Sequence, residues 1–303
     1  MRVAVMGVGG VGGYFGGRLA AAGHDVVFIA RGRHLEAMRR DGLRVNSANG
    51  DVHLHPVNAT ADPAEIGPVD LVLFAVKLWD TESAAEALKP MIGQDTVVVT
   101  FQNGVDSVER IGSVIGPRHV AGGVCHIAAA IARPGVIQHT GTLARLFAGS
   151  LFPEQERPLS DFAALARQAG IEFHMADDIG RAIWEKFVFL APFSGVTALT
   201  RLPIGPIRTD PDTRSLFADA VAEAVALAHA SGVPLPADQT TRVMAFVDGL
   251  PGEMKSSMLG DLERGTRLEL PWLSGAVVQR AAARSLAVPV HRVIYAALKH
   301  HAA

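Results

Sequence analysis

The sequence predicts a two-part chain: a doubly wound α/β domain with a largely parallel sheet over residues 1–176, then an all-helical domain over residues 177–303. Three observations predict it. Short apolar runs alternate with amphipathic ones through the first half, a glycine-rich turn follows the first run, and strand signals almost vanish after Ala176.

Taken in order, residues 3–6, 26–30, 71–76 and 97–101 are rich in Val, Ile, Leu or Phe and are bounded by Gly, Asp or Asn. That is the pattern of strands buried on both faces. Helical periodicity over 11–22, 81–91 and 105–115 supplies the crossovers of βαβ units. Residues 43–60 alternate apolar and polar and carry the hairpin turn signal Asn49-Gly50. Runs at 125–131, 136–139 and 143–148 predict antiparallel strands at the far edge of the sheet, and a helix over 154–169 with a strand over 171–175 closes the domain. Beyond it, Asp178 is placed to cap a helix through Trp184 and Phe187, which Pro192 should kink or break. Asp210-Pro211 opens the next helix, with proline at its first position. Its apolar face is built from Phe217, Ala220, Val221, Ala224 and Val225, and Ser231-Gly232 ends it. Further helices are expected at 238–248, 252–263, 272–285 and 291–299.

Composition narrows the function classes. The chain has 303 residues, 49% hydrophobic and 19% charged, with a formal net charge of −2. There is ample apolar material for packed cores, and no basic excess of the kind a nucleic-acid binder carries. Arg39-Arg40, near Arg31 and Arg33, is the densest basic stretch and is short. The single cysteine, Cys125, excludes an internal disulfide framework and reads as a small packed residue, consistent with a cytoplasmic protein. No uninterrupted apolar run reaches the roughly 20 residues of a membrane span, so no membrane partner is expected. His53 and His55 alternate along a strand and His300-His301 lie in the tail, without metal-ligand spacing, so no metal site is expected either.

The run Gly7-Val8-Gly9-Gly10-Val11-Gly12 contains G-x-G-x-x-G at Gly7, Gly9 and Gly12. It follows a strand and opens a helix, the context that makes this pattern a Rossmann dinucleotide fingerprint. The first glycine permits the tight turn, the second lets the backbone approach a pyrophosphate, and the third lets the helix pack on the strand. NAD sites end the second strand with a carboxylate for the ribose 2′-hydroxyl. Here that end reads Ala30-Arg31-Gly32-Arg33, which predicts NADP, with Arg31 as the main 2′-phosphate contact and Arg33 as a lesser one. Lys77, after the strand at 71–76, and Gln102-Asn103-Gly104, after the strand at 97–101, lie beyond strand carboxyl ends, where ligands of open α/β sheets bind.

The glycine loop, Arg31, Val76-Lys77, Gln102-Asn103-Gly104, Trp184-Glu185-Lys186, Ser256-Ser257-Met258, Asp261 and Glu269, in this order and spacing, resemble the ketopantoate reductase (2-dehydropantoate 2-reductase) family. The landmarks cover nearly the whole chain. The resemblance implies a helical domain like that of 6-phosphogluconate dehydrogenase. It also implies NADPH-dependent reduction of 2-dehydropantoate to (R)-pantoate, a step of pantothenate and coenzyme A synthesis. It casts Lys186 as the general acid that protonates the carbonyl oxygen, Glu269 as the acceptor of a substrate hydroxyl and Ser257 as the binder of the substrate carboxylate. Asn103 and Lys77 would touch the nicotinamide side of the cofactor and polarise substrate, Ala128 would give a backbone contact to the cofactor, and a homodimer is a candidate assembly. Lysine among Ile183, Trp184, Phe187 and Val188 suits this role: desolvation favours giving up the proton, and while charged it stabilises a developing alkoxide.

The chain departs from the family pattern at the substrate wall. Where the best-known members place two asparagines at helical spacing after the lysine, the stripe here is Lys186, Leu190 and Ser194. Glu269-Leu270-Pro271-Trp272-Leu273-Ser274-Gly275 lacks the family's Asp and Asn and gains Trp272. A less polar wall discriminates less in favour of a polar substrate. A relative reducing a different, less polar 2-oxo acid or ketone is therefore the alternative reading, and a non-catalytic NADP-binding regulator the third.

Overall fold

The computed structural model describes residues 1–302 and resolves two compact units, one of residues 1–102 and 106–179, the other of residues 103–105 and 180 onward. The first contains β1 (Arg2–Met6), α1 (Gly10–Ala21), β2 (Asp25–Ile29), α2 (Gly32–Asp41), β3 (Leu43–Asn46), β4 (Val52–Leu54), β5 (Ala59–Thr60), β6 (Val69–Phe74), α3 (Thr81–Leu88), β7 (Ile92–Thr100), α4 (Ser107–Ile115), β8 (Val120–Arg133), β9 (Val136–Gly149), α5 (Glu156–Gln168) and β10 (Glu172–Met175). All ten strands form one sheet in the order β4-β3-β9-β8-β7-β6-β1-β2-β5, with β10 also paired to β9. Its parallel portion, β5-β2-β1-β6-β7-β8, has the 3-2-1-4-5-6 order of the Rossmann fold.

The period-two alternation of a strand divides the core between the two faces of this sheet. Val3, Val5, Val26, Phe28, Leu71, Leu73, Val97 and Val99 face α1 and α5, meeting Phe15, Leu19, Leu159 and Phe162. Ala4, Met6, Val27, Ile29, Val72, Phe74 and Val98 point the other way, onto Ala84, Leu88 and Ile111 of α3 and α4. Burial on both faces explains why these strands are continuous apolar runs.

Two expectations for this unit need correction. The apolar runs at 136–139 and 143–148 belong to one 14-residue strand, β9. The polar break between them is a bulge: His139 pairs with Ala129 and Ala144 with Ile127, so residues 140–143 oppose Ala128 alone, with Gly141 at φ +75°. Nor is β9 the sheet's edge. Its outer side pairs parallel with β3 through Val136–Gln138 and with β10 through Arg145–Ala148, which carries the β3–β4 hairpin beyond it.

The second unit holds α6 (Ile179–Thr200), α7 (Ile204–Thr209), α8 (Pro211–Ala230), α9 (Gln239–Asp248), α10 (Ser257–Glu263), α11 (Ser274–Ala282) and α12 (Pro289–Leu298). Pro192 does not break α6, which runs unbroken through it for 22 residues. Proline removes one main-chain donor, and the burial of Val188, Ala191, Phe193, Val196 and Ala198 supplies packing that outweighs this loss. By length and composition α6 also meets the criterion for a membrane span, but 61% of its most apolar window is buried inside the protein, as in a core helix. Residues 252–254 are not helical as expected. They dock on the start of α7, a helix absent from the expected elements, through Gly205 N to Gly252 O (2.8 Å) and Ile204 N to Met254 O (3.0 Å).

Helix α8 is the centre of this unit, with Phe217, Ala220, Val221, Ala224, Leu227 and Ala228 buried. Asp210 caps it as expected, its Oδ1 accepting from Thr213 N at 2.9 Å. Farther along, Glu223 caps a different helix: its two carboxylate oxygens accept from Val290 N (2.8 Å) and His291 N (3.0 Å) at the start of α12. Desolvation by burial pushes the Glu223 carboxyl above its usual range despite these bonds. His291 is fully buried, its Nε2 3.1 Å from Ala220 O and its Nδ1 without a partner. Burial pushes this imidazole down from 6.5 to about 4.

A lowered histidine pKa means that the unfolded chain binds more protons between pH 6.5 and 4, so folding stability falls as pH drops through that window. The loss expected from His291 is about 2 kcal/mol at pH 5 relative to pH 7.5. Denaturant unfolding of the wild type and His291→Gln at both pH values checks this: the wild type should lose more stability on acidification, and equal losses would refute the assignment.

Candidate functional site

The strand-to-helix turn after β1 is held open by absent side chains. Gly7 has φ +97°, and a β-carbon there would lie 2.8 Å from Val76 N and 2.9 Å from Ala75 O. At Gly12 it would strike the carbonyl of Gly7, and at Gly10 the carbonyl of Ala129 in β8. Gly9 differs: nothing lies within 4 Å of its β-carbon position. It is the N-cap residue of α1 and makes no side-chain cap, so the helix presents bare N–H groups to that open space. Val8 is buried beside it and Val11 packs against the same core. The residues of β8 that meet the glycine loop at Gly10 are Ala129 and Ala130, and Ala128 falls at the register shift just before them.

Arg31 occupies the N-cap position of α2 and Arg33 follows in the first turn. Arg31 is not an isolated cation. Its Nη2 donates to Asp80 Oδ2 at 2.8 Å, with the side chains 72% and 30% exposed respectively. Asp80 is not among the residues expected from the sequence, because it lies far along the chain from the end of β2, where NAD sites carry their carboxylate. Its signal was its place three residues past Lys77, in a loop already assigned to the cofactor. Lys77 itself begins the turn Leu78–Asp80, and its Nζ lies 5.6 Å from the centroid of the Trp79 ring. Gln102 ties the two expected loops together, its Nε2 donating to Val76 O (3.0 Å) and Thr81 Oγ1 (2.9 Å).

The remaining candidates lie in the second unit. Asn103 belongs there, and its Oδ1 accepts a hydrogen bond from Lys186 Nζ at 2.9 Å. This fixes the lysine head and leaves the Asn103 amide nitrogen free to donate elsewhere. Gly104, at φ +87°, packs so that a β-carbon would lie 3.3 Å from Trp272 O. Trp272 N in turn donates to Glu269 O at 3.1 Å, so the segment after β7 meets the turn bearing Glu269. Glu269 is only 7% exposed and, although it is the N-cap residue of the turn Leu270–Trp272, its carboxylate makes no capping bond. A purely capping role is therefore not what the geometry presents. The guanidinium of Arg267, a residue the sequence did not single out, stacks 6.0 Å from the Trp272 ring.

Ser257 is exposed at the first position of α10, whereas its neighbour Ser256 is buried and structural. Ser256 Oγ accepts from Leu259 N (3.0 Å) and pairs with Thr197 Oγ1 (2.6 Å). Along α6 the stripe descends into the core: Lys186 and Leu190 are half-buried, while Ser194 is 1% exposed with no partner for its hydroxyl. Among the described residues no cluster of His, Cys, Asp and Glu is suited to a metal ion.

Comparison with known proteins agrees with this geometry. The family described as Ketopantoate reductase PanE/ApbA matches residues 3–151, and its C-terminal counterpart matches residues 178–302. A 2-dehydropantoate 2-reductase of Mesorhizobium japonicum is 34% identical over 298 residues, covering 91% of this chain and 90% of its own. An uncharacterised oxidoreductase of Bacillus subtilis is 32% identical over 303 residues, covering 100% and 99%. Among solved structures, a PanE/ApbA family ketopantoate reductase from Ralstonia eutropha is 34% identical with a TM-score of 0.90, covering 100% of this chain and 98% of its own. With the glycine loop in one unit and the Lys186–Asn103 pair in the other, the chain belongs to the ketopantoate reductase family of dinucleotide-binding oxidoreductases.

Proposed function

We propose that the protein reduces 2-dehydropantoate to (R)-pantoate with NADPH, using Lys186 as the general acid. The observation that carries this reading is the 2.9 Å hydrogen bond from Lys186 Nζ to Asn103 Oδ1, beside the turn that bears the buried Glu269.

The residues fit a dinucleotide. Open space at Gly9 and uncapped N–H groups of α1 suit a pyrophosphate, and Arg31 with Arg33 at the start of α2 suits a 2′-phosphate. Lys77, Asn103 and the backbone at Ala128 complete the proposed contacts. When bound, the reduced nicotinamide supplies hydride to the carbonyl carbon. Lys186 holds its proton toward the carbonyl oxygen and delivers it there as negative charge develops. Asn103 holds Nζ in position without competing for that proton, because an amide oxygen is not a base near neutral pH. Glu269 accepts the substrate hydroxyl, and Ser257, exposed at the start of α10, donates to the substrate carboxylate.

A specific observation supports a second reading. The apolar Leu190 and the fully buried Ser194 offer the substrate fewer polar partners than two amides would. This favours a less polar 2-oxo acid. NADPH oxidation with 2-dehydropantoate beside a panel of bulkier, less polar 2-oxo acids decides between the two. The first reading requires the highest kcat/KM for 2-dehydropantoate.

Lys186→Ala is expected to lower kcat by about 10²- to 10⁴-fold, with NADPH affinity changed little. Near-normal turnover would refute the acid role. Gly9→Ala is expected to leave the thermal midpoint nearly unchanged, since its β-carbon meets nothing, but to weaken NADPH binding by roughly tenfold or more. Gly12→Ala should lower the midpoint itself, because its β-carbon meets backbone.

A further inference from the structure

The end of β2 lacks the carboxylate that NAD sites use, yet the fold delivers one to the same guanidinium from another segment. Asp80 Oδ2 accepts from Arg31 Nη2 at 2.8 Å. The carboxylate is available for this because Asp80, although it sits at the N-cap position of α3, makes no side-chain cap. Its backbone is held instead, by Asp80 N to Lys77 O (2.9 Å) and by Ser83 Oγ donating to Asp80 O (3.1 Å). The contact engages one arm of the Arg31 fork, and a bidentate 2′-phosphate would need both arms or a shift of the pair. A phosphate dianion arriving there also meets a fixed negative charge, whereas a ribose 2′-hydroxyl meets an acceptor.

We propose that Asp80 sets the cofactor selectivity of this enzyme: it competes with the 2′-phosphate of NADPH for Arg31 and offers NADH the ribose-binding carboxylate that β2 does not provide. The protein therefore discriminates less between NADPH and NADH than Arg31 alone would make it. This rests on the reading of Arg31 as the 2′-phosphate contact. Asp80 is a selectivity residue with no part in the proton or hydride transfer.

The test is equilibrium titration of the full-length protein with NADPH and with NADH, followed by nicotinamide fluorescence, for the wild type, Asp80→Asn, Asp80→Ser and Arg31→Ala. Both Asp80 variants should tighten NADPH by about fivefold, the scale of an exposed charge pair, and should loosen NADH; unchanged NADH affinity would overturn the ribose-binding part of the proposal. The gain for NADPH should shrink as salt is raised. Arg31→Ala should weaken NADPH by roughly tenfold and spare NADH. If Arg31→Ala weakens NADPH as expected but the Asp80 variants leave the NADPH-to-NADH ratio unchanged or lower NADPH affinity, Asp80 merely orients Arg31 and the proposal fails alone. If Arg31→Ala affects the two cofactors equally, the 2′-phosphate reading fails and takes the proposal with it.

Discussion

The first unit depends on the approach of α1 to the backbone around it. A helix ordinarily stands off from what it packs against by the thickness of its side chains, about 8–10 Å between the axes of two helices. Here β-carbons at Gly10 and Gly12 would collide with main-chain carbonyls, so only glycine lets the first turn of α1 settle against β1 and β8. The same settling points the uncapped N–H groups past Gly9 into open space. Packing and the open approach to the helix thus come from neighbouring glycines of one turn: Gly10 and Gly12 allow the close contact, and Gly9 leaves the space before the helix clear.

How much was legible follows from how local each signal is. The parallel strands could be read because burial on two faces leaves continuous apolar runs, and the glycine loop because its turn is confined to six residues. The pairing partners of β9 were not legible. A bulge of four residues looks like the end of a strand in a one-dimensional pattern, and nothing within 136–149 announces that β3 and β10 will share its outer side. That α6 would run unbroken through Pro192 was not legible for a related reason: the intrinsic cost of proline is local, but the burial that offsets it is tertiary.

The site divides along the same line. Among the proposed residues, Gly7, Gly9, Gly12 and Arg31 stand in a recognisable local frame, whereas Lys186 entered only through the family resemblance. That Asn103 would belong with the helical unit was not evident, because chain order places it directly after β7. The Arg31–Asp80 pair was not legible, because it joins residues 49 positions apart in the chain. Ser256 and Ser257 show the limit at its finest: adjacent and chemically identical, they differ only in that one turns inward to Thr197 and the other outward.

The Glu223 cap has a consequence for the architecture of the helical unit. One carboxylate on the central helix holds the first two N–H groups of a segment 67 and 68 residues later in the chain. The final helix is therefore fastened at its beginning by a carboxyl that burial pushes above its usual range and that those two donors pull back toward the ionised form. Peeling α12 away would take both donors and the buried His291 ring with it, leaving Glu223 without its two backbone partners and Ala220 O without its contact to His291. The last helix is thus joined to the centre of the unit at its first turn as well as through its buried Ile294 and Leu298, rather than trailing from it.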